Sequence, residues 1–209
     1  ESPPPARSIG VNLGAGGADR LLGANERAGA VYAERNWNNM TSTTLENAPL
    51  LDAMGLPTST TVSFNAAGSQ SGFHTSNGES ETANGRLMRG SIRLGEWINE
   101  GGPLNVYFTH VPYLNYDVYV YFDPANSTTH DNSVQEFRLT PGGLPHLPSI
   151  FGQNSLSSTN GVGDFPSYDI WTGFRESVAT AHNGPESERL GNYVVFRNVN
   201  TPDFTIAST

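Results

Sequence analysis

The chain has 209 residues, of which 36% are hydrophobic and 15% are charged, with 23 glycines, 14 prolines and no cysteine. This composition supplies one core without disulfides, and it is typical of turn-rich β proteins and not of helical bundles. The net charge is −9, and all 11 basic residues are arginines scattered along the chain. A nucleic acid or an anionic membrane surface is therefore disfavoured as a partner, and thiolate chemistry is excluded.

The start of the chain and its hydropathy favour an exported protein. The first residue is Glu1 and not methionine, as expected after removal of a secretory signal peptide, although a trimmed terminus explains it equally well. No stretch approaches the roughly 18 apolar residues of a membrane span. We expect an extracellular or cell-surface protein without membrane insertion.

Residues 1–14, ESPPPARSIGVNLG, predict an extended arm. Three consecutive prolines favour polyproline II, and Ile9, Val11 and Leu13 then alternate with small or polar residues, as in a strand. We expect the arm to fold back on its own domain or to lie on a neighbouring copy, and residues 15–209 to form the domain itself.

The remaining strands follow the arm at short intervals. Only the residues PYLN separate the segments PLNVYFTHV and YDVYVYFD. This short connection predicts a hairpin. The polar stretch GSQSGFHTSNGESETANG predicts a loop, RLMRGSIRLGEW predicts a helical turn or a strand edge, and residues 140–166 predict a surface excursion. The other predicted strands are TTVSFNA, SVQEFRL, SYDIWTGFRE, NYVVFRNV and DFTIAST.

This pattern predicts an all-β fold. About eight to eleven short strands at this spacing are typical of a single β-sandwich or jelly-roll-like domain. No sustained helical period and no internal repeat competes with that interpretation.

The segment YDVYVYFD has an unusual second face. One face of such a strand carries core residues, while Tyr119 and Tyr121 share the opposite face with Asp117. Tyrosines on a face that is normally wet indicate a cover, which is a sugar, a second subunit or the rest of the fold. The predicted core face consists of Tyr116, Val118, Val120 and Phe122.

No residue pattern indicates an enzyme. The five histidines lie far apart, no nucleophile elbow occurs, and the acidic residues form too many pairs to single one out. The loop DPANSTTHDNS offers oxygen ligands, with Asp123 and Asp131 as a calcium candidate. Because it lacks the regular ligand spacing, a loop of Asx turns without calcium is the favoured interpretation. No other cofactor is predicted.

Two further sets of residues are candidates for contact with carbohydrate. Asn39 and Asn126 begin N-x-S/T sequons in polar segments, which predicts glycosylation. Trp37, Trp97 and Trp171 are candidates for a platform that stacks on sugar rings, although for any single tryptophan a core position is the favoured explanation.

Five stretches together resemble a known group of proteins: SIGVNLG, AGAVYAERNWNN, LLDAMGLPTSTTVSF, YDVYVYF and GNYVVFRNVNTPDFTIAST. They are similar to secreted bacterial β-sandwich domains that often travel with PEP-CTERM-type sorting tails. The resemblance implies an extracellular jelly-roll-like domain with no catalytic residues. Such domains usually continue into one further strand after the FTIAST type of strand, whereas this sequence stops at Thr209.

Two functions are the leading hypotheses, ahead of a lyase or hydrolase on the same fold. The first is a structural subunit of a glycosylated extracellular fibril, in which the arm, through Ile9, Val11 and Leu13, adds a strand to the next copy. Its partners are copies of itself and an attached glycan. The alternative is a carbohydrate-binding module of a secreted protein.

Overall fold

The computed structural model describes residues 8–31, 33–66, 72–75, 82–93, 104–122, 134–153, 174–189 and 191–208. These residues form mostly β structure, so the all-β prediction is confirmed. The short helices are α1 (Ala83–Arg89) and α2 (Glu186–Arg189), with one 3-10 turn at Ala18–Arg20. The strands are β1 (Val11–Asn12), β2 (Asn38–Asn39), β3 (Thr44–Leu51), β4 (Pro57–Asn65), β5 (Gly72–Thr75), β6 (Gly90–Arg93), β7 (Leu104–Thr109), β8 (Tyr116–Tyr121), β9 (Val134–Pro141), β10 (Ile150–Gln153), β11 (Tyr193–Val199) and β12 (Phe204–Ser208).

Six strands form one antiparallel sheet in the order β10-β9-β12-β7-β4-β3. Three pairs accompany it: β8 with β11 and β5 with β6, both antiparallel, and β1 with β2, parallel. The last strand, β12, lies inside the large sheet between β7 and β9. The chain therefore ends its described part in a fully paired strand and not at a sheet edge.

The edge strand β3 is interrupted. Its register with β4 shifts between Leu45 and Ala48, and Asn47 has a φ of 49° in the left-handed region. Pro49 follows, without an N–H to offer to another strand. Bulges and prolines of this kind hinder the pairing of an outer strand with an edge.

The predicted hairpin between β7 and β8 is wrong. β7 pairs with β4 and β12, whereas β8 pairs with β11 in a different sheet. The chain leaves β7 through His110, whose φ is 57° and whose N–H donates to the Asp203 carboxylate at 2.8 Å. Val111 N–H then donates to the Pro202 carbonyl at 2.8 Å. These bonds to a distant segment carry the chain from one sheet to the other.

The first core lies between the large sheet and the β8–β11 pair. Leu139 of β9 and Val194 of β11 are fully buried there, and each such side chain stabilises the fold by about 1.5–3 kcal/mol. The predicted inner face of β8 is confirmed, because Tyr116, Val118 and Val120 pack against this core. Two sheets on a shared core are what a sandwich requires; the sandwich and jelly-roll description stays a prediction.

A second core lies on β3, β4 and β7. Val62 and Phe64 share the buried face of β4, as predicted from their alternation. A third cluster, which includes Trp37 and Leu87, packs with Tyr121 on the outer side of β8.

Two segments differ from their predicted structure, and a third combines its two predicted alternatives. Strand β5 lies within the stretch predicted as a polar loop, and β10 lies within the predicted excursion 140–166, paired with β9. The segment predicted as a helical turn or a strand edge contains both, because α1 runs directly into β6.

Candidate assembly site at the arm strand

The arm strand, residues 8–14, lies on the second core of its own chain. Ile9, Val11 and Leu13 are half-buried and pack against the cluster that contains Leu50, Val62 and Phe64. The alternation predicted from the sequence therefore corresponds to an apolar face. The prediction that these three residues contact another subunit stays a prediction.

The main chain of the arm strand is paired on one side. The carbonyls of Gly10 and Asn12 accept from the N–H groups of Asn38 and Met40, both at 2.9 Å. In a parallel ladder, alternate residues direct their main-chain groups to opposite sides. The main chain of Val11 therefore points away from β2, and among the described strands none pairs with that side of β1.

The amide side chain of Asn38 links the arm strand to the large sheet. Its Nδ2 donates to the carbonyls of Gly10, at 2.9 Å, and Leu51, at 2.8 Å, while its Oδ1 accepts from Leu51 N–H at 2.9 Å. The side chain thus replaces a peptide group between β1 and the end of β3. The segment after β3 also contacts the arm strand directly, because Ala53 N–H donates to the Ser8 carbonyl at 2.9 Å.

A second amide network fixes the other end of the arm strand. Asn12 is 2% exposed, and its Nδ2 donates to the carbonyl of Arg20, at 2.8 Å, and to Oδ1 of Asn39, at 2.9 Å. Its Oδ1 accepts from Gly14 N–H at 3.2 Å. Buried amides cost free energy unless they are hydrogen-bonded, so these bonds define one position of the strand.

Asn39, the first predicted glycosylation residue, belongs to this network. Its Nδ2 donates to the Leu22 carbonyl at 2.9 Å, and its Oδ1 accepts from Leu22 N–H at 3.1 Å in addition to Asn12. A glycan on Nδ2 leaves that nitrogen a single hydrogen. Glycosylation at Asn39 therefore stays a prediction. An attached glycan would have to preserve the hydrogen bonds that this amide makes to Leu22 and Asn12.

Trp37 covers the arm strand from outside. The indole is 8% exposed, its Nε1 donates to the Glu34 carbonyl at 3.2 Å, and its ring lies against Gly10. On the far side its ring centroid is 6.1 Å from that of Tyr121. Trp37 is therefore a buried structural residue, which corrects its assignment to an exposed sugar platform.

The outer face of β8 is covered at Tyr121 by the rest of the chain. Its ring contacts Phe174 and Tyr193, at centroid distances of 5.2 and 6.1 Å, and its hydroxyl accepts from Ala30 N–H at 2.9 Å. Burial raises the pKa of Tyr121 to about 12. Of the three covers considered from the sequence, the fold itself is the one found here.

The other predicted site residues lie outside the described residues: Asn126, Trp97, Trp171, Asp123 and Asp131. Within the described ranges, no group of three or more His, Asp or Glu side chains is placed to hold a metal ion. No helix in the same ranges is long and apolar enough to cross a membrane.

Sequence reasoning missed the roles of Asn12 and Asn38. The sequence offered only a general signal, because asparagine is depleted in strands. Their partners lie far along the chain, and the sequence alone does not identify them. Comparison with protein-family models, with curated proteins and with solved structures found no match to this chain.

Proposed function

We propose that this protein is a non-enzymatic structural subunit that assembles head to tail outside the cell, with the arm strand of one copy inserted into the next. The observation that carries the proposal is the position of the arm strand on the second core. Ile9, Val11 and Leu13 complete an apolar surface on β3, β4 and β7, yet among the described strands β1 pairs only with β2.

The contacts of the arm strand can form equally well within one chain or between two chains. They are hydrogen bonds and apolar packing, and the link to the following turn is Gly14-Ala15-Gly16-Gly17. Glycine adopts many backbone conformations at little cost, so this link can open without breaking a regular element. Exchange of one segment between identical copies is a low-cost route to assembly.

The geometry of such an exchange favours an open polymer. The donating strand and the accepting surface are different parts of the chain, so the contact is heterologous and does not close unless the rotation makes a ring. The bulged, proline-containing edge of β3 disfavours an alternative growth route by edge pairing.

The extracellular location and the glycan belong to the same proposal. The absence of cysteine and lysine and the resemblance to secreted bacterial domains support export. The sequon at Asn126 supports an attached glycan. The carbohydrate-binding alternative is weakened, because Trp37 is buried in the fold and does not offer its ring to a sugar.

Two truncations test the proposal. Deletion of residues 1–14 removes the arm strand, whereas deletion of residues 1–7 removes the proline-rich segment and keeps it. We expect fibres by electron microscopy from the full chain and from the shorter deletion, and none from the longer deletion. Fibres from the longer deletion, or monomers alone from the full chain at all concentrations, would contradict the proposal.

Because the arm strand covers a core, the longer deletion needs a folding control. A synthetic peptide of residues 7–15 added to the deletion variant is expected to bind and to restore a cooperative unfolding transition without restoring fibres. Such a complex is a folded subunit that accepts a strand and donates none.

A further inference from the structure

We propose that one end of the large sheet is a contact surface for a second copy of this chain. Connections that present exposed aliphatic side chains lie together at this end, and two such ends would pack against each other about a two-fold axis. This contact does not require exchange of the arm strand.

Four connections lie side by side at this end of the large sheet. They are residues 52–56 between β3 and β4, 110–115 after β7, 142–149 between β9 and β10, and 200–203 before β12. Thr61 near the start of β4 pairs with Thr109 at the end of β7. Phe204 at the start of β12 pairs with Phe108 of β7 and with Pro141 at the end of β9. The antiparallel order of the strands therefore places all four connections at the same end.

Large apolar side chains are exposed on three of these connections or directly beside them. Leu114 is 93% exposed, and the complete set, called the apolar end below, is Leu51, Met54, Leu56, Leu114 and Leu144. These five are the majority of the nine large hydrophobic side chains that are exposed in the described part of the chain. Single exposed apolar residues are normal in soluble proteins, whereas a group of them at one place marks a contact surface.

The turn between β3 and β4 holds its exposed side chains in a defined position. The Asp52 carboxylate is buried, and its Oδ1 accepts from the N–H groups of Met54 and Leu56, both at 2.9 Å. Gly55 between them has a φ of 79°, which glycine adopts without strain. A surface that is ordered in advance loses little conformational entropy when a partner covers it.

Asp203 joins the other connections. Its carboxylate accepts from His110 N–H at 2.8 Å, and its carbonyl accepts from Gly142 N–H at 2.7 Å and from Thr201 Oγ1 at 2.9 Å. The His110 carbonyl accepts in turn from Ser59 Oγ, near the start of β4, at 2.7 Å. Hydrogen bonds therefore run across the whole end and fix the connections relative to one another.

The composition of this end favours a protein partner over a lipid surface. The four connections contain no arginine or lysine, whereas surfaces that bind lipid headgroups usually carry several basic residues. Tyr113 is their only Phe, Tyr or Trp residue, and its ring is half-buried and packs against the first core. Exposed tyrosine or tryptophan rings, which are typical of a membrane interface, are therefore missing from these connections.

Charge favours a second copy as that protein partner. The chain has a net charge of −9, but these connections contain only two of its 20 acidic residues, Asp52 and Asp203. Both carboxylates already accept main-chain hydrogen bonds. Like-charge repulsion between identical subunits is therefore small at this end. In a two-fold contact the same apolar side chains serve both partners, so no second complementary surface is needed.

The size of the apolar end predicts a weak, reversible pair. The exposed fractions of its five side chains correspond to about three fully exposed ones, or roughly 300 Å². A stable complex buries about 800 Å² on each partner. Exposed prolines on the same connections enlarge the surface: Pro112, Pro145 and Pro202. If fibres form as proposed above, each repeats this end many times, and many weak contacts would join neighbouring fibres.

The arm strand leaves the apolar end free for this contact. Ser8 accepts from Ala53 N–H at 2.9 Å beside the turn between β3 and β4. The strand then runs away from that turn, because the Asn12 carbonyl accepts from Met40 N–H shortly before the start of β3. The glycine link that begins at Gly14 is therefore at the opposite end. A subunit can exchange its arm strand there and keep the apolar end exposed.

Disulfide trapping tests the contact, and the chain offers a clean background because it has no cysteine. Leu56→Cys, Leu114→Cys and Leu144→Cys are made in the full chain, with and without a mass tag, and mixed in all pairings before mild oxidation. We expect disulfides between copies in at least one pairing, which requires Cα atoms within about 7 Å.

Val178→Cys is the matched control, on a residue that is 52% exposed beside β10 and away from the four connections. It should form no disulfide with any of the three variants. The absence of disulfides from every pairing at the apolar end would overturn the inference.

A charge placed on the apolar end gives a second measurement. Met54→Arg, added to the pairing that forms disulfides, should lower their yield by about tenfold or more, because the contact would bury an unpaired charge. Val178→Arg is the control and should leave the yield unchanged. Urea denaturation should show that neither change alters folding, since both side chains are exposed. Equal yields with the two changes would contradict the contact.

Two further measurements distinguish other occupants of the same surface. In flotation with vesicles of zwitterionic phosphatidylcholine we expect the protein to stay unbound, and binding that Met54→Arg abolishes would identify lipid as the partner. Deletion of residues 1–7, which precede Ser8, should leave the disulfides in place. Their loss would assign the contact to that segment and not to the apolar end.

The failure of this contact and the failure of the proposed function give different results. Fibres that form without these disulfides would leave the proposed function standing and show that the end-to-end contact is wrong. Disulfides at the apolar end in a protein that never forms fibres would support the contact and contradict the proposed function.

Discussion

Gly10 lies directly against the indole ring of Trp37. A Cβ built on Gly10 would come within 2.8 Å of Cδ2 and 2.9 Å of Cε3 of that ring. The indole is buried and donates a hydrogen bond to the Glu34 carbonyl, so moving it aside would cost free energy. The absence of a side chain at Gly10 is therefore what lets Trp37 close over the arm strand.

We expect Gly10→Ala to lower the free energy of unfolding by about 1–3 kcal/mol, as other overpacked sites do. Urea denaturation followed by tryptophan fluorescence measures it. Gly23→Ala is the matched control, because the nearest atom to its added carbon is the flexible Glu26 carboxylate at 3.2 Å. Equal effects of the two changes would show that the Trp37 contact is not the cause.

Two variants of the sequon at Asn39 distinguish a structural role of the Asn39 side chain from an effect of glycosylation. Asn39→Ala removes bonds to Leu22 and Asn12 and leaves buried partners unsatisfied, so we expect a loss of about 1–3 kcal/mol even in protein made without glycosylation. Thr41→Ala also removes the sequon but touches none of these bonds, and it should be nearly neutral there. Denaturation and intact mass are measured on both variants. A near-neutral Asn39→Ala would refute the structural role.

Stability should fall in alkaline solution because of Tyr121. Burial raises its pKa in the folded protein from the ordinary value of 10.0 to about 12. Between pH 10 and pH 12 the unfolded chain has lost this proton while the folded chain still binds it, so the free energy of unfolding decreases as the pH rises. Below pH 10 the contribution is fully present.

Tyr121→Phe removes the titrating group and should flatten that decrease, at the cost of a bond from Ala30 N–H. The comparison uses denaturation at a series of pH values. Tyr107→Phe, on a tyrosine that is 48% exposed on the large sheet, is the control. If both variants keep the slope of the unmodified protein, burial of Tyr121 does not determine the alkaline transition. Tyr116, whose pKa burial also raises to about 12, contributes with the same sign.

Local alternation made part of this fold predictable. In β4 the apolar residues Val62 and Phe64 face one core, and this strand needs no more than its own sequence to be identified. The passage from β7 to β8 was not predictable in the same way, because Val111 bonds to Pro202 and His110 to Asp203, far along the chain. A short connection between two alternating segments was therefore a misleading signal for a hairpin.

The candidate site at the arm strand was likewise predictable only in part. The alternation of Ile9, Val11 and Leu13 indicated an apolar face, and the structure supplies the core beneath it. The partner of Asn12 is Asn39, 27 residues away, and no local pattern connects them. The burial of Trp37 likewise depends on Gly10 and Tyr121, which belong to different strands.

A subunit that accepts a strand but cannot donate one should terminate the polymer. Val11→Asp places a charge on the apolar face of the arm strand, where an unpaired carboxylate costs several kcal/mol, while the accepting surface on β2, β4 and β7 is unchanged. Added at roughly one variant per ten unmodified subunits, it should shorten fibres to roughly ten subunits, since each heterologous chain then ends at the first variant. Fibre length is measured by electron microscopy. Val11→Ile keeps the apolar face and should leave the length unchanged, and fibres of normal length that contain the Val11→Asp subunit throughout would rule out donation through this strand.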